Sequence, residues 1–261
     1  FNFAKNNNNV VSLFEGMNEI SLEEPRTRSV RVKHIVGYPY GMLTGRVQKK
    51  TPDGRLLYEE DGMPIRSDAY EIIGYGVPDL TGGLENSFTW KNINLSFLID
   101  FKSGGDIYSG TNAMFTWFGL SYESLEGRDP NVPLKVEGAI QTGESTNGVP
   151  IYEDFEHTLS PIEARNYWHK AWWMSNQYTY DASFVKLRQL TLGYSFPKTV
   201  LSKTPFENLT ISFVGRDLWI IHKNTPNIDP ESSYTNSNSQ GLDYFGMPSV
   251  RSWGFNIRME F

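Results

Sequence analysis

Apolar and polar residues alternate with a period of two over several long stretches of this chain. Leu190, Leu192, Tyr194 and Phe196 alternate with Thr191, Gly193 and Ser195. Leu209, Ile211 and Phe213 alternate with Thr210, Ser212 and Val214. Ile93, Leu95, Phe97, Ile99 and Phe101 do the same, as do Trp253, Phe255, Ile257, Met259 and Phe261 at the C-terminus. A period of two over this length predicts strands with one apolar and one polar face. Pro197 cannot donate to a ladder and ends the first of these strands. Lys91-Asn92 is the turn between a strand closed by Phe88 and Trp90 and the strand 93–101.

The front of the chain is less regular. Phe1 to Leu13 reads as a hairpin turned by Asn6–Asn9, because Asn tolerates left-handed backbone angles. Residues 15–29, with Pro25, read as a loop. Val30, Val32 and Ile35 start a strand, and Gly37-Tyr-Pro-Tyr-Gly41 is a turn or a kink before a further strand from Met42 to Val47. Residues 48–83, rich in Gly and Pro, read as a loop with a small surface hairpin at GRLLYEEDGMPI.

Residues 103–182 are too long for an ordinary connection. Within them Ser160-Pro161-x-Glu163 combines an N-cap, a first-turn proline and a capping-box glutamate. It predicts a helix to about Met174, with Ala164, Trp168 and Trp172 on one stripe. A Pro/Asn/Ser-rich loop, 223–248, precedes the last strand.

Counted back from the C-terminus, long and short connections alternate along eight or nine strands. The count depends on the GYPYG segment. Transmembrane barrels have this asymmetry, with short turns on one side and long loops on the other. The last strand has the length of the ~9–11 residues that a tilted strand needs to cross a bilayer. No apolar run is long enough for a spanning helix.

Composition narrows the classes. The 261 residues include 7 Trp, 14 Tyr and 16 Phe, yet only 39% are hydrophobic. A barrel with a polar lumen and aromatic girdles explains both facts, and a sugar-binding β-sandwich explains them nearly as well. The net charge of −6 argues against nucleic acid as a partner. There is no cysteine, which excludes a disulfide scaffold. His34, His157, His169 and His222 show no metal-site spacing, and no G-x-S-x-G elbow is present. Neither an enzyme nor a cofactor is expected.

SFVKLRQLTLGYSFP from Ser183, GRDLWIIHKNTPNIDPE from Gly215 and the terminal RSWGFNIRMEF resemble the end of a SusC/RagA-type TonB-linked outer-membrane transporter. GVPDLTGGLENSFTW and GGDIYSG resemble the same family. The resemblance implies an all-β chain, the C-terminal part of a ~22-stranded barrel, in the outer membrane of a Gram-negative, Bacteroidetes-like bacterium. It implies import of oligosaccharides or oligopeptides with a SusD-like lipoprotein. TonB would act through a plug that, with the first strands, lies outside these 261 residues.

Two sets of side chains are then candidates. Trp90, Leu95, Phe97, Tyr194, Phe196, Trp219, Trp253, Phe255 and Phe261 would face lipid or form girdles. Asn94, Ser96, Thr210, Ser212, Asn256, Arg258 and Glu260 would face the lumen. In the long excursion, Trp117, Tyr122, Tyr167, Trp168, Trp172, Trp173, Tyr178 and Tyr180 would contact substrate or partner, or form the excursion's own core. For the helix tryptophans a core role is the commoner one. The alternative to a transporter is a soluble glycan-binding β-sandwich, whose strands must bury a common core.

Overall fold

The computed structural model describes residues 1–23, 29–232, 234 and 239–261. Pro25 and part of the loop 223–248 lie outside them. In chain order the elements are β1 (Asn2–Lys5), β2 (Glu19–Glu23), β3 (Val30–Ile35), β4 (Met42–Gly45), β5 (Glu71–Tyr75), β6 (Leu80–Trp90), β7 (Ile93–Ser103), β8 (Asp106–Ser109) and α1 (Gly110–Trp117). They continue with β9 (Lys135–Glu144), β10 (Pro150–Thr158), α2 (Pro161–Ala171), β11 (Thr179–Asp181), β12 (Phe184–Ser195), α3 (Lys198–Leu201), β13 (Asn208–Lys223), β14 (Leu242–Asp243) and β15 (Ser252–Glu260).

The alternating stretches form one antiparallel sheet in the order β1-β6-β7-β12-β13-β15. Its register places each predicted face intact. Phe88, Leu95, Leu192, Phe213 and Phe255 stand opposite one another across five strands. Trp90, Ile93, Tyr194, Ile211 and Ile257 make the next row on the same face. The other face carries the row Thr89, Asn94, Gly193, Ser212 and Asn256. Short bonds cross-link it, such as Asn94 Nδ2 to Thr89 Oγ1 at 3.0 Å and the Ser195–Thr210 hydroxyl pair at 2.9 Å. The turn at Lys91-Asn92 is the expected two-residue hairpin, with Lys91 at φ 53°.

The sheet has six strands rather than eight or nine, because the front of the chain goes elsewhere. The hairpin expected over residues 1–13 does not form. β1 pairs with the start of β6, Phe3 opposite Gly82. The Asn run instead leads to a second sheet, β2-β3-β4-β5. Val10 there exchanges bonds with Tyr38 and Gly37. Its strands have four to six residues, too few to cross a bilayer, and β4 is buried throughout. The GYPYG segment is the turn between β3 and β4, with Gly37 and Gly41 at positive φ. β2 and β5 occupy stretches expected to be loop.

All three long connections, 6–79, 104–183 and 224–251, leave the six-stranded sheet at one end. The short ones, 91–92 and 196–207, lie at the other. The long connections are not independent loops. They fold together into a cap that holds most of the buried apolar side chains. Its main core joins Val30, Val32 and Leu43 of the first excursion to Tyr108, Ala113 and Tyr178 of the second and Leu242 of the third. A second core joins Tyr58 and Met63 to Val136, Leu159 and Ala164. The hairpin GRLLYEEDGMPI is therefore not superficial. It packs on the unforeseen β9–β10 hairpin through Tyr58 N–H to Ala139 O at 3.0 Å. Where the first and third excursions cross, a Cβ on Gly76 would collide with the Gln240 carbonyl, so only glycine fits.

The sheet contrasts with the cap. Its apolar face is uncovered: Trp253 is 60% and Phe255 77% exposed. A sandwich would have packed this face against a second sheet.

Candidate functional site

The cap's aromatic side chains divide by physical role. α2 has the predicted capping box, with Glu163 Oε2 accepting from Ser160 N–H at 2.8 Å. The helix stops at Ala171, three residues short of the expectation, as the chain turns so that Met174 and Tyr178 can enter the core. Its fully buried side chains are Ala164 and Ala171, with Tyr167 packed on the second core and Trp172, just past the helix, packed on the main core.

Trp117 from α1 and Trp172 and Trp173 from the end of α2 form a ladder. Their ring centroids are 5.4 Å and 4.0 Å apart in succession. Trp117 Nε1–H donates to His169 Nε2 at 2.8 Å, which fixes the outer ring. At the other end the Arg66 guanidinium lies 4.7 Å from the Trp173 ring centroid. Arg66 begins a basic group. Arg46 and Arg31 lie over the Tyr70 ring at 5.3 Å and 4.6 Å. Burial, then repulsion from Arg46, lowers the proton affinity of Arg66. The acid they share is Asp68, which is exposed and pairs with Lys49 at 2.7 Å.

The remaining candidates do not join this ladder. Trp168 turns away, donating to the Glu126 carbonyl at 3.1 Å and packing edge-on against Tyr167. Tyr178 is 2% exposed within the main core, so it is a packing residue and not a contact for substrate. Burial raises its hydroxyl pKa. Tyr180 is half-buried beside Ile107, Ala182 and Ile228, and burial pushes its pKa up to about 12. Tyr122 is 88% exposed, on a segment that also presents Phe118, Leu120 and Leu125. The arginines carried no signal in the sequence, because they gather from separate stretches.

A second polar constellation joins cap to sheet. Lys186, 3% exposed, bonds Asp229 and Glu231, each at 2.6 Å. Arg188 binds Asp100 at 2.8 Å, Asp217 at 3.2 Å and also Glu231. Burial opposes ionisation of Asp229, but bonds from Lys186, Ser249 and the Glu231 amide lower its pKa to about 2. Two quoted stretches of sequence thus meet: the Lys186-x-Arg188 of one clasps the Asp229-x-Glu231 of the other. Among the described residues no group of three or more His, Cys, Asp or Glu could hold a metal ion. Among the same residues no helix is long and apolar enough to cross a membrane.

All nine residues expected to face lipid fall on the apolar face or continue its alternation just beyond a strand. Trp219 does so through Leu187, opposite Ile99. Phe196 packs on Tyr194 and Phe261 on Phe206, with centroids 5.2 Å apart in both pairs.

No family model matches the chain. The chain is 26% identical over 289 residues to TonB-dependent receptor P3 of Formosa agariphila, across all of this chain and 26% of that receptor. It is 25% identical over 218 residues to TonB-dependent receptor P39 of the same organism, across 80% of this chain and 19% of that receptor. The chain thus spans about a quarter or less of the curated relatives it matches. Among solved structures, the RagAB peptide transporter superposes on 99% of this chain and 26% of its own, with a TM-score of 0.61 and 16% identity. The RagAB peptide importer in its open-open state gives a TM-score of 0.61 at 17% identity, with the same coverage. The homologues are TonB-dependent receptors and the fold is that of a segment of the RagAB transporter, which bears out the resemblance read from the sequence.

Proposed function

We propose that this chain is the C-terminal portion of the barrel of an outer-membrane TonB-dependent importer. The observation that carries the reading is the division of the molecule. One sheet face is apolar and uncovered, the opposite face is polar, and every long excursion rises from the same end. Water offers no reason to leave Phe255 and Trp253 uncovered, whereas hydrocarbon on that face satisfies them.

In this reading Trp90, Leu95, Phe97, Tyr194, Phe196, Trp219, Trp253, Phe255 and Phe261 meet lipid or its interfaces. Asn94, Ser212 and Asn256 line the lumen. The cap forms part of the extracellular mouth, where the ladder meets an oligosaccharide or oligopeptide substrate and Tyr122 with its apolar neighbours meets a SusD-like lipoprotein. The plug and the remaining strands come from the rest of the protein, and TonB works through that plug. This segment carries no covalent chemistry.

The test is to isolate the native polypeptide and measure its intact mass and its need for detergent. The expected result is a chain several times longer, recovered from outer membranes only in detergent. A water-soluble species of 261 residues would overturn the reading.

A further inference from the structure

We propose that the cap carries a cleft for a short oligopeptide with free ends, lying against the outer edge of β5. This deepens the reading just given and rests on it. The cleft has a volume of about 670 Å³ and is walled by the start of β5, the segment after β4, Leu56 and the turn at Asn176-Gln177. That is the size of an ordinary ligand pocket. β5 ends its sheet, with β4 on one side and no strand on the other. The register slips at Ile73, an extra residue without a partner on β4. Asp106 Oδ2 accepts the Tyr75 N–H at 3.1 Å and so caps one end of the free edge. The other end, Glu71 to Ile73, opens on the cleft. A free strand edge of this kind takes an extended peptide as an added strand.

The side chains that line the cleft suit peptide groups. Gln48 is 4% exposed and donates Nε2–H to the Leu57 carbonyl at 3.1 Å. Its carbonyl oxygen is the acceptor left over. The carboxamides of Asn176 and Gln177 are exposed. Each offers a donor and an acceptor side by side, as a peptide unit does. Val47, Leu56 and Ile72 add aliphatic wall for a ligand's side chains. Among the described residues no aromatic ring lines the cleft, so it lacks the flat platform on which a sugar ring stacks. Lys50 and Glu71 supply one exposed charge of each sign. Glu71 stands opposite Gly45, and five residues of chain carry Gly45 to Lys50. The two charges are therefore no more than about 20 Å apart, a span that an extended peptide covers in about six residues at most. The peptide's ammonium would pair with Glu71 and its carboxylate with Lys50.

The experiment titrates the intact, detergent-solubilised protein calorimetrically with three probes: a pentapeptide of alternating serine and alanine with free ends, the same peptide acetylated and amidated, and a neutral galacto-oligosaccharide. The free-ended peptide is expected to bind roughly tenfold or more tightly than the blocked one, less so as salt rises. K50M and E71Q, both at exposed positions, should each erase most of that preference while the blocked peptide binds as before. N176A/Q177A should weaken both peptides and leave the saccharide unaffected. A free-ended peptide bearing a photoreactive benzophenone should label residues 47–56 or 71–73, and the unmodified peptide should compete the label away. An end preference unchanged in K50M and E71Q would overturn the site, as would labelling confined to other segments. Absence of peptide binding, or binding of the saccharide alone, would also overturn the site but leave the importer reading standing. A protein soluble without detergent would instead sink the importer reading itself.

Discussion

Lys186 Nζ lies 2.6 Å from Asp229 Oδ1, with both side chains almost wholly buried. The bond ties the third excursion to β12, and Ser249 Oγ adds a second tether to the same carboxylate at 2.5 Å. Removing one partner of a buried pair leaves an unpaired charge, a cost of about 3–5 kcal/mol. K186M should therefore release residues 224–251, read as faster hydrogen exchange and new protease cleavage there. K186M/D229N should recover part of the loss, because the stranded carboxylate is gone.

The same clasp sets a pH dependence. The pKa of Asp229 is held at about 2, below its ordinary 3.8, despite burial, by its bonds to Lys186 and Ser249. Glu231 is lowered likewise, against burial, by Arg188 and Lys186. A depressed carboxylate stabilises the fold above its unfolded pKa and ceases to do so as pH falls through the folded value. Exchange protection of residues 224–251 should hold down to about pH 4 and fall away between there and pH 2. Loss of protection beginning above pH 5 would place its origin elsewhere.

Tyr178 joins all three excursions through the main core. Tyr178→Ala should cost about 3–5 kcal/mol and loosen the whole cap. The six-stranded sheet, which shares little of that core, should still assemble into the outer membrane. Deletion of 110–182 should act in the same direction and more severely, exposing Val30, Val32 and Leu242. Heat-modifiable mobility on gels reports sheet assembly. Loss of that mobility in either variant would contradict the separation of cap from sheet.

Trp173→Ala removes the ring beneath Arg66 and the inner rung of the ladder. It should weaken substrate capture by about tenfold, or 1–2 kcal/mol. Tyr180→Phe, which alters a half-buried hydroxyl away from the ladder, should leave capture unchanged. Binding titrations on the two variants provide the check.

The sheet was legible in the sequence because its strands are long and strictly alternating. Tyr194, Phe213 and Phe255 keep their parity whatever the strands pair with, so the faces follow from local order. The cap was legible only in part. The strands at Val30 and Met42 were expected, but β4 is buried on both sides, so its MLTG has no alternation that assigns it a face. β2 and β5 are short and lie in Gly-rich or charged surroundings. The Asn run has turn chemistry, but which strand β1 chooses is decided by Gly82 and Gly83, eighty residues away. At the site, the capping box of α2 was readable because its residues are three apart. The meeting of Arg66 with Trp173 spans more than a hundred residues and depends on tertiary packing alone. Tyr178 and Trp173 look alike as loop aromatics, and only the fold separates the core residue from the half-buried rung.

The central claim is that one face of the sheet meets lipid. The chain has no cysteine, so single cysteines carrying an environment-sensitive dye can be placed on alternate residues of β12 and β15 in the intact protein, reconstituted in bilayers. Dyes at Leu192, Phe255 and Ile257 should show blue-shifted emission quenched by brominated lipid tails. Dyes at Gly193, Asn256 and Arg258 should show neither effect. Equal emission from both sets, without quenching, would contradict the account.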